Sequence, residues 1–219
     1  MVKRFCGKIL LCVLAVVGLS LGALPAQAQR VSLTDLQNQI AASVTCPAAL
    51  PGQPRFVDKG DGTVCDSATG LMWEKKLACA EATNPRCVDN LYGWSATPPA
   101  FTLADGTLYS DFLAKLNDLK TPNDGTATPC LAGYCDWRIP TIGELRGILL
   151  AAAPFCSIVP PCIDPNFGPT QNSYYWSATT DTTYPFQAWG VTFGGGFLSL
   201  GNKNPLNHTF HARAVRGGR

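Results

Sequence analysis

The chain has 219 residues, 46% of them hydrophobic, with 17 Lys+Arg against 15 Asp+Glu and 10 cysteines. That length supports a sizeable hydrophobic core in one domain. No basic run or patch interrupts it, which argues against nucleic-acid or polyanion binding through bulk charge.

The N-terminus reads Met1-Val2-Lys3-Arg4, with Lys8 close behind, then an uncharged apolar stretch from Ile9 to Leu24, then Pro25-Ala26-Gln27-Ala28. A basic start, a short apolar centre and a small-residue exit make residues 1–28 a cleavable secretory signal. The apolar stretch is shorter than the roughly 20 residues of a spanning helix, so a retained anchor is the weaker reading. Cleavage removes three basic residues and leaves fourteen against fifteen acidic ones, a nearly neutral chain. The expected location is secreted, periplasmic or at the cell surface, with no stable membrane insertion after cleavage.

Eight cysteines follow the signal: Cys46, Cys65, Cys79, Cys87, Cys130, Cys135, Cys156 and Cys162. An even count in an exported chain predicts disulfides. Sequence alone leaves about 105 pairings open. Local spacing favours Cys79–Cys87, Cys130–Cys135 and Cys156–Cys162, leaving Cys46 for Cys65. A zinc site is disfavoured, because no C-x-x-C pair is present and His208 and His211 are the only histidines.

Residues 29–54 form a leader with a short amphipathic helix over 32–43, capped by Ser32 or Thr34, with Leu33, Leu36 and Ile40 on one face. Arg55 to Trp73 reads as a hairpin turned at Gly60-Asp61-Gly62, with a second turn over Asp66 to Gly70. Asp58, Asp61 and Asp66 raise the question of calcium. Their spacing is not that of an EF-hand, and turn chemistry explains them without a metal. Residues 78–106 read as a long loop. A helix is expected from Ser110 to Lys120, capped by Ser110, with Phe112, Leu113, Leu116 and Leu119 on one face. Thr141-Ile142-Gly143-Glu144 is a capping box opening a second helix, with Ile142, Leu145, Ile148, Leu149 and Ala152 buried and Pro154 as its stop. Strands are expected at Tyr174–Thr179, Gln187–Phe193, Phe197–Gly201 and Phe210–Arg216, with Gly194-Gly195-Gly196 as a turn. Hairpin, two helices, then an antiparallel meander is an α+β order.

Several segments together resemble the Lcl C-terminal domain family. They are Phe56 to Val64 with Ala68 to Lys75, Gly133-Tyr134 through Asp136-Trp137-Arg138-Ile139-Pro140-Thr141 and Glu144-Leu145, Cys162 to Pro165, Ser173 to Thr179, and Arg213 to Gly218. The resemblance spans residues 55–218. It implies a bacterial exported domain, C-type-lectin-like, with two helices packed on a twisted antiparallel sheet and long disulfide-braced loops. It implies little about activity, although the family is named after a collagen-like adhesin that binds host polysaccharide. This chain has no Gly-X-Y repeat. It also lacks the Glu-Pro-Asn, Gln-Pro-Asp and Trp-Asn-Asp triplets of calcium-dependent sugar-binding lectins, so no calcium–sugar site is carried over and no cofactor is implied.

Within these motifs, Trp73, Trp137 and Trp176 are read as core fillers. Asp136, Arg138, Arg213 and Arg216 are read as charge-assisted ties between loops and strands. His208 and His211, three apart in a strand, point to opposite faces and do not share a metal. No G-x-S-x-G elbow is present, and no catalytic residue is assigned. Tyr184, Trp189, Asn202, Lys203 and Asn204 are the candidate ligand-binding residues, because stacking rings and adaptable amides suit a glycan or protein surface. The expected function is an exported binding module for glycan, matrix or cell-surface adhesion. The alternatives are a structural or assembly subunit of the bacterial envelope and, less favoured, an enzyme related to formylglycine-generating enzymes, which needs a reactive cysteine pair.

Overall fold

The computed structural model describes residues 46–48, 50–79, 83–118, 130–150, 156, 160–206 and 208–218. All lie in the second of the chain's two units, Met1–Ile40 and Ala41–Arg219. The signal, the 32–43 helix, Leu119, Lys120, Ala152 and Pro154 lie outside the described residues.

The first hairpin joins β1 (Phe56–Asp58) to β2 (Thr63–Asp66), and β3 (Leu71–Glu74) follows. Gly60 and Gly62 hold φ of 74° and 91° in the turn, a conformation that glycine adopts without steric cost. Strand β7 (Val215–Gly217) completes an antiparallel sheet ordered β1-β2-β3-β7. Strands β4 (Tyr174–Thr180), β5 (Gln187–Thr192) and β6 (Phe197–Asn202) form a second antiparallel sheet.

The expected single sheet is therefore two, and the segment 210–214 is the reason. Phe210–Arg216 is a strand only at its end. Phe210 bridges to Tyr92 and His211 to Tyr175, so this stretch stitches between the sheets instead of extending either.

The first helix also differs. It runs as a π-helical stretch, Leu108–Leu113, into an α-helical turn, Ala114–Leu116 (together α1). Ser110 is not its cap; its Oγ donates back to the Gly106 carbonyl. Gly106 lies against the backbone of Gly93, and Leu108 N donates to Gly93 O, so the helix starts earlier than its polar residues suggest. The second helix, α2 (Ile142–Gly147), carries the expected capping box: Thr141 accepts from Glu144 N, and Glu144 accepts from Thr141 N. It is shorter than expected because Leu149 leaves the helix to bridge Ile163.

All four residues of β2 and of β3 are buried, because successive side chains feed two different cores. Cys65, Met72, Tyr174, Trp176 and Ala188 join α1, Tyr92 and Trp94 in one cluster. Val64, Leu71, Trp73, Tyr175, Val191 and Val215 join Leu145 and Ile148 of α2 in the other. The first cluster is packed to contact: a Cβ added at Gly190 would sit 2.2 Å from the Tyr174 ring, and one at Gly201 2.7 Å from Trp176. Disulfides join Cys46–Cys65, Cys79–Cys87, Cys130–Cys135 and Cys156–Cys162, the pairing that local spacing favoured. Each contributes about 2–4 kcal/mol, less where the loop is short.

Candidate binding face on the second sheet

Most charged motif residues are turned inward or engaged by neighbours. Asp58 accepts from Gly60 N and Lys75 Nζ, and Asp61 from Thr63 N and Oγ1. Asp66 takes a two-pronged bond from Arg55 at 2.8 and 2.7 Å. Burial pushes the Asp66 carboxyl up, but Arg55, Thr69 and Ala68 more than offset it and leave it below the ordinary carboxylate value. Turn and pair chemistry thus occupies the three aspartates considered for calcium. Among the described residues no group of three or more His, Cys, Asp or Glu is placed to hold a metal.

Arg138 forks onto Glu144 at 2.8 and 2.6 Å, and Arg216 onto Asp136 with its guanidinium 3.7 Å above the Tyr134 ring. Arg213 is fully buried and donates to the carbonyls of Glu74 and Phe167 and to Thr170 Oγ1. Trp73, Trp137 and Trp176 are core residues, and Trp176 Nε1 donates to Tyr92 O. Sequence reasoning missed the buried ion pair of Glu74 and Lys76, 2.8 Å apart. Burial draws the Lys76 ammonium down to about 8, against the opposing pull of Glu74. Both sit in a run that reads as strand and exit, and nothing local marks them as buried.

His211 is buried, with Nδ1 3.1 Å from Asn90 O and its ring beside Tyr175, whereas His208 lies against Phe210. The two do not form a common site. All eight domain cysteines are in disulfides, so none is a thiol.

The five candidate binding residues divide. The β5–β6 register sets Gln187 opposite Asn202 and Trp189 opposite Leu200. Side chains two apart share a face, so Gln187, Trp189, Leu200 and Asn202 lie together on one side of the sheet, all half-buried. Asn202 Oδ1 accepts from Asn204 N, and Asn204 Oδ1 from Leu206 N, which fixes the turn and commits the carbonyl ends of both amides. The amide N–H groups of Gln187 and Asn202 have no partner among the described residues. Tyr184 stands on the β4–β5 loop, 51% exposed, edge-on to Phe186. That loop is braced: Asp181 Oδ1 accepts from Thr183 N and Tyr184 N, and Gln187 N donates to Tyr184 O.

Lys203 is not a surface residue. It is fully buried on the opposite side of the sheet, with Nζ 3.7 Å above the Trp94 ring. Its ammonium donates to Thr180 Oγ1 at 2.7 Å and Pro185 O at 2.9 Å, so it fastens the β4–β5 loop from beneath. Burial alone draws it down to about 8. Gln187 and Leu200 escaped the sequence reading, yet counting outward from Gly194-Gly195-Gly196 gives their positions.

The sequence profile of the Lcl C-terminal domain matches residues 62–216. The chain belongs to that family. A search of curated proteins found no match. The four disulfides identify the domain as one that folds in an oxidising, non-cytoplasmic compartment.

Proposed function

We propose that this Lcl-family domain, released by cleavage after Ala28, is a C-type-lectin-like binding module that takes a glycan or matrix surface on the half-buried patch of Gln187, Trp189, Leu200 and Asn202 on β5 and β6. The observation that carries the reading is the grouping of Trp189 with the Gln187 and Asn202 amides on one face, beside a loop braced by Asp181 and Lys203. A half-buried indole offers a flat apolar surface to the C–H face of a sugar ring, and unengaged amide donors meet its hydroxyls. Bracing lowers the ordering cost of binding. Tyr184 extends the aromatic surface from the loop. Binding needs no calcium in this reading, because the face is built from amides and rings.

The test is a glycan and matrix array probed with the folded, signal-free protein, once with calcium and once with chelator. Saturable binding is expected in both conditions. Trp189→Ala is expected to weaken it about tenfold or more, with the thermal midpoint within a few degrees. No saturable binding, or full binding by the Trp189→Ala protein, rejects the proposal.

A further inference from the structure

We infer that the free edge of β6 pairs with the same strand of a second copy of this chain, joining two three-stranded sheets into one of six. Among the described residues, strand β6 is the edge of its sheet. Edge strands of soluble domains usually carry a lysine, a proline or a bulge that blocks pairing. Phe197–Asn202 carries no charge and no proline, and its register with β5 runs unbroken. The lysine that follows it, Lys203, guards nothing, because its side chain is folded inward over Trp94. Phe197 is 53% and Leu198 38% exposed.

The register fixes which groups remain. Lys203 N donates to Phe186 O, which makes that pair a hydrogen-bonded one. The hydrogen-bonded pairs of an antiparallel ladder alternate. Gly201, Ser199 and Phe197 therefore face β5, and the N–H and C=O groups of Leu198, Leu200 and Asn202 point away from it.

Only one two-fold antiparallel register matches all of these groups with their own copies. Leu200 faces the partner's Leu200, and Leu198 faces the partner's Asn202. That pairing makes about six backbone hydrogen bonds. It also continues the side-chain stripe across the join. Trp189 and Leu200 of one copy meet Leu200 and Trp189 of the other on a single face, the kind of cross-strand apolar contact that stabilises sheets. The chain after signal cleavage is nearly neutral, so charge does not hold the copies apart.

Sedimentation velocity on the signal-free protein, from about 5 to 500 μM, tests this without any ligand. The expected result is a concentration-dependent doubling of mass. Slowed amide exchange, about tenfold or more at high concentration, is expected at Leu198, Leu200 and Asn202 and not at Phe197. Leu200→Lys is expected to abolish the doubling while leaving the circular dichroism unchanged, and Leu198→Lys serves if that variant does not fold. A monomer at every concentration overturns the inference. So does a dimer that persists in the folded lysine variants, or one whose β6 amides gain no protection.

Discussion

Replacing Arg213 with methionine separates architecture from binding in the family's terminal motif. The guanidinium has no exposure and spans three acceptors: Glu74 O at 2.7 Å, Phe167 O at 3.1 Å and Thr170 Oγ1 at 3.0 Å. Methionine fills most of the volume but takes the donor from Glu74 O, leaves Phe167 O with its bond from Lys76 N alone, and removes a cation near the buried Glu74 carboxylate. Unsatisfied buried groups cost about 1–3 kcal/mol each, and breaking a buried charge arrangement costs about 3–5 kcal/mol. Relief of the guanidinium's own desolvation offsets part of this, so the expected net loss is about 3–5 kcal/mol. Against a typical stability of about 5–15 kcal/mol, that is a large fraction. The thermal midpoint should fall by about 10 °C. Arg213→Lys keeps the charge but not the fork, and should lose about half as much. Urea unfolding followed by tryptophan fluorescence measures both. A Met variant within about 1 kcal/mol of the parent refutes the architectural reading, especially if ligand binding is lost while stability is kept.

Three further outcomes are expected. Lys76 and Lys203 are both drawn from the ordinary 10.5 to about 8, so between those values the unfolded chain holds more protons. Stability measured by denaturant should therefore rise with pH from about 8 and turn over near 10, where ionisation of unfolded tyrosines opposes the raised Tyr92, Tyr109 and Tyr174; a flat profile contradicts the burial of both lysines. Glu144→Ala removes the capping box and the Arg138 pair, and should cost about 1–2 kcal/mol at neutral pH. Because the Arg138 bond holds the Glu144 carboxyl below its ordinary value, the difference between variant and parent should shrink as the pH falls through the acid range. Lys203→Met should speed amide exchange across 183–187 while leaving the β2–β3 ladder protected, and unchanged exchange there would show that Lys203 does not brace the loop.

The sequence announced features whose cause is local. The Gly60-Asp61-Gly62 turn, the Thr141–Glu144 cap and the disulfides between near neighbours all depend on residues a few positions apart. The two-sheet division was hidden because it depends on Tyr92 and Tyr175, each far in sequence from Phe210 and His211. Periodicity also misled. Strands buried on both faces lose the apolar–polar alternation that marks an open sheet, so Glu74 gave no sign of being enclosed. Lys203 was misread for the opposite reason: it lies between Asn202 and Asn204, a polar setting typical of loops, but strand phase turns it to the Trp94 side.

That phase explains how one hairpin serves two ends. Gly201 lies against Trp176 and Tyr174, and Lys203, in step with it, becomes a brace, while Leu200 and Asn202 lie half-buried beside Trp189 on the other face. A substitution at Arg213 or Lys203 therefore acts through the scaffold, one at Asn202 also releases the turn that its side chain holds, and one at Trp189 or Gln187 is the cleaner test of the proposed face. If β6 pairs across its edge, the two faces lie on one continuous sheet at a fixed spacing. If that face also takes the proposed glycan or matrix ligand, a polymeric one meets both at once, and its second contact forms at an effective concentration set by that geometry rather than by the bulk solution. Weak contact at each Trp189 would suffice for firm attachment to a repeating surface, and the same face would release a single short ligand readily.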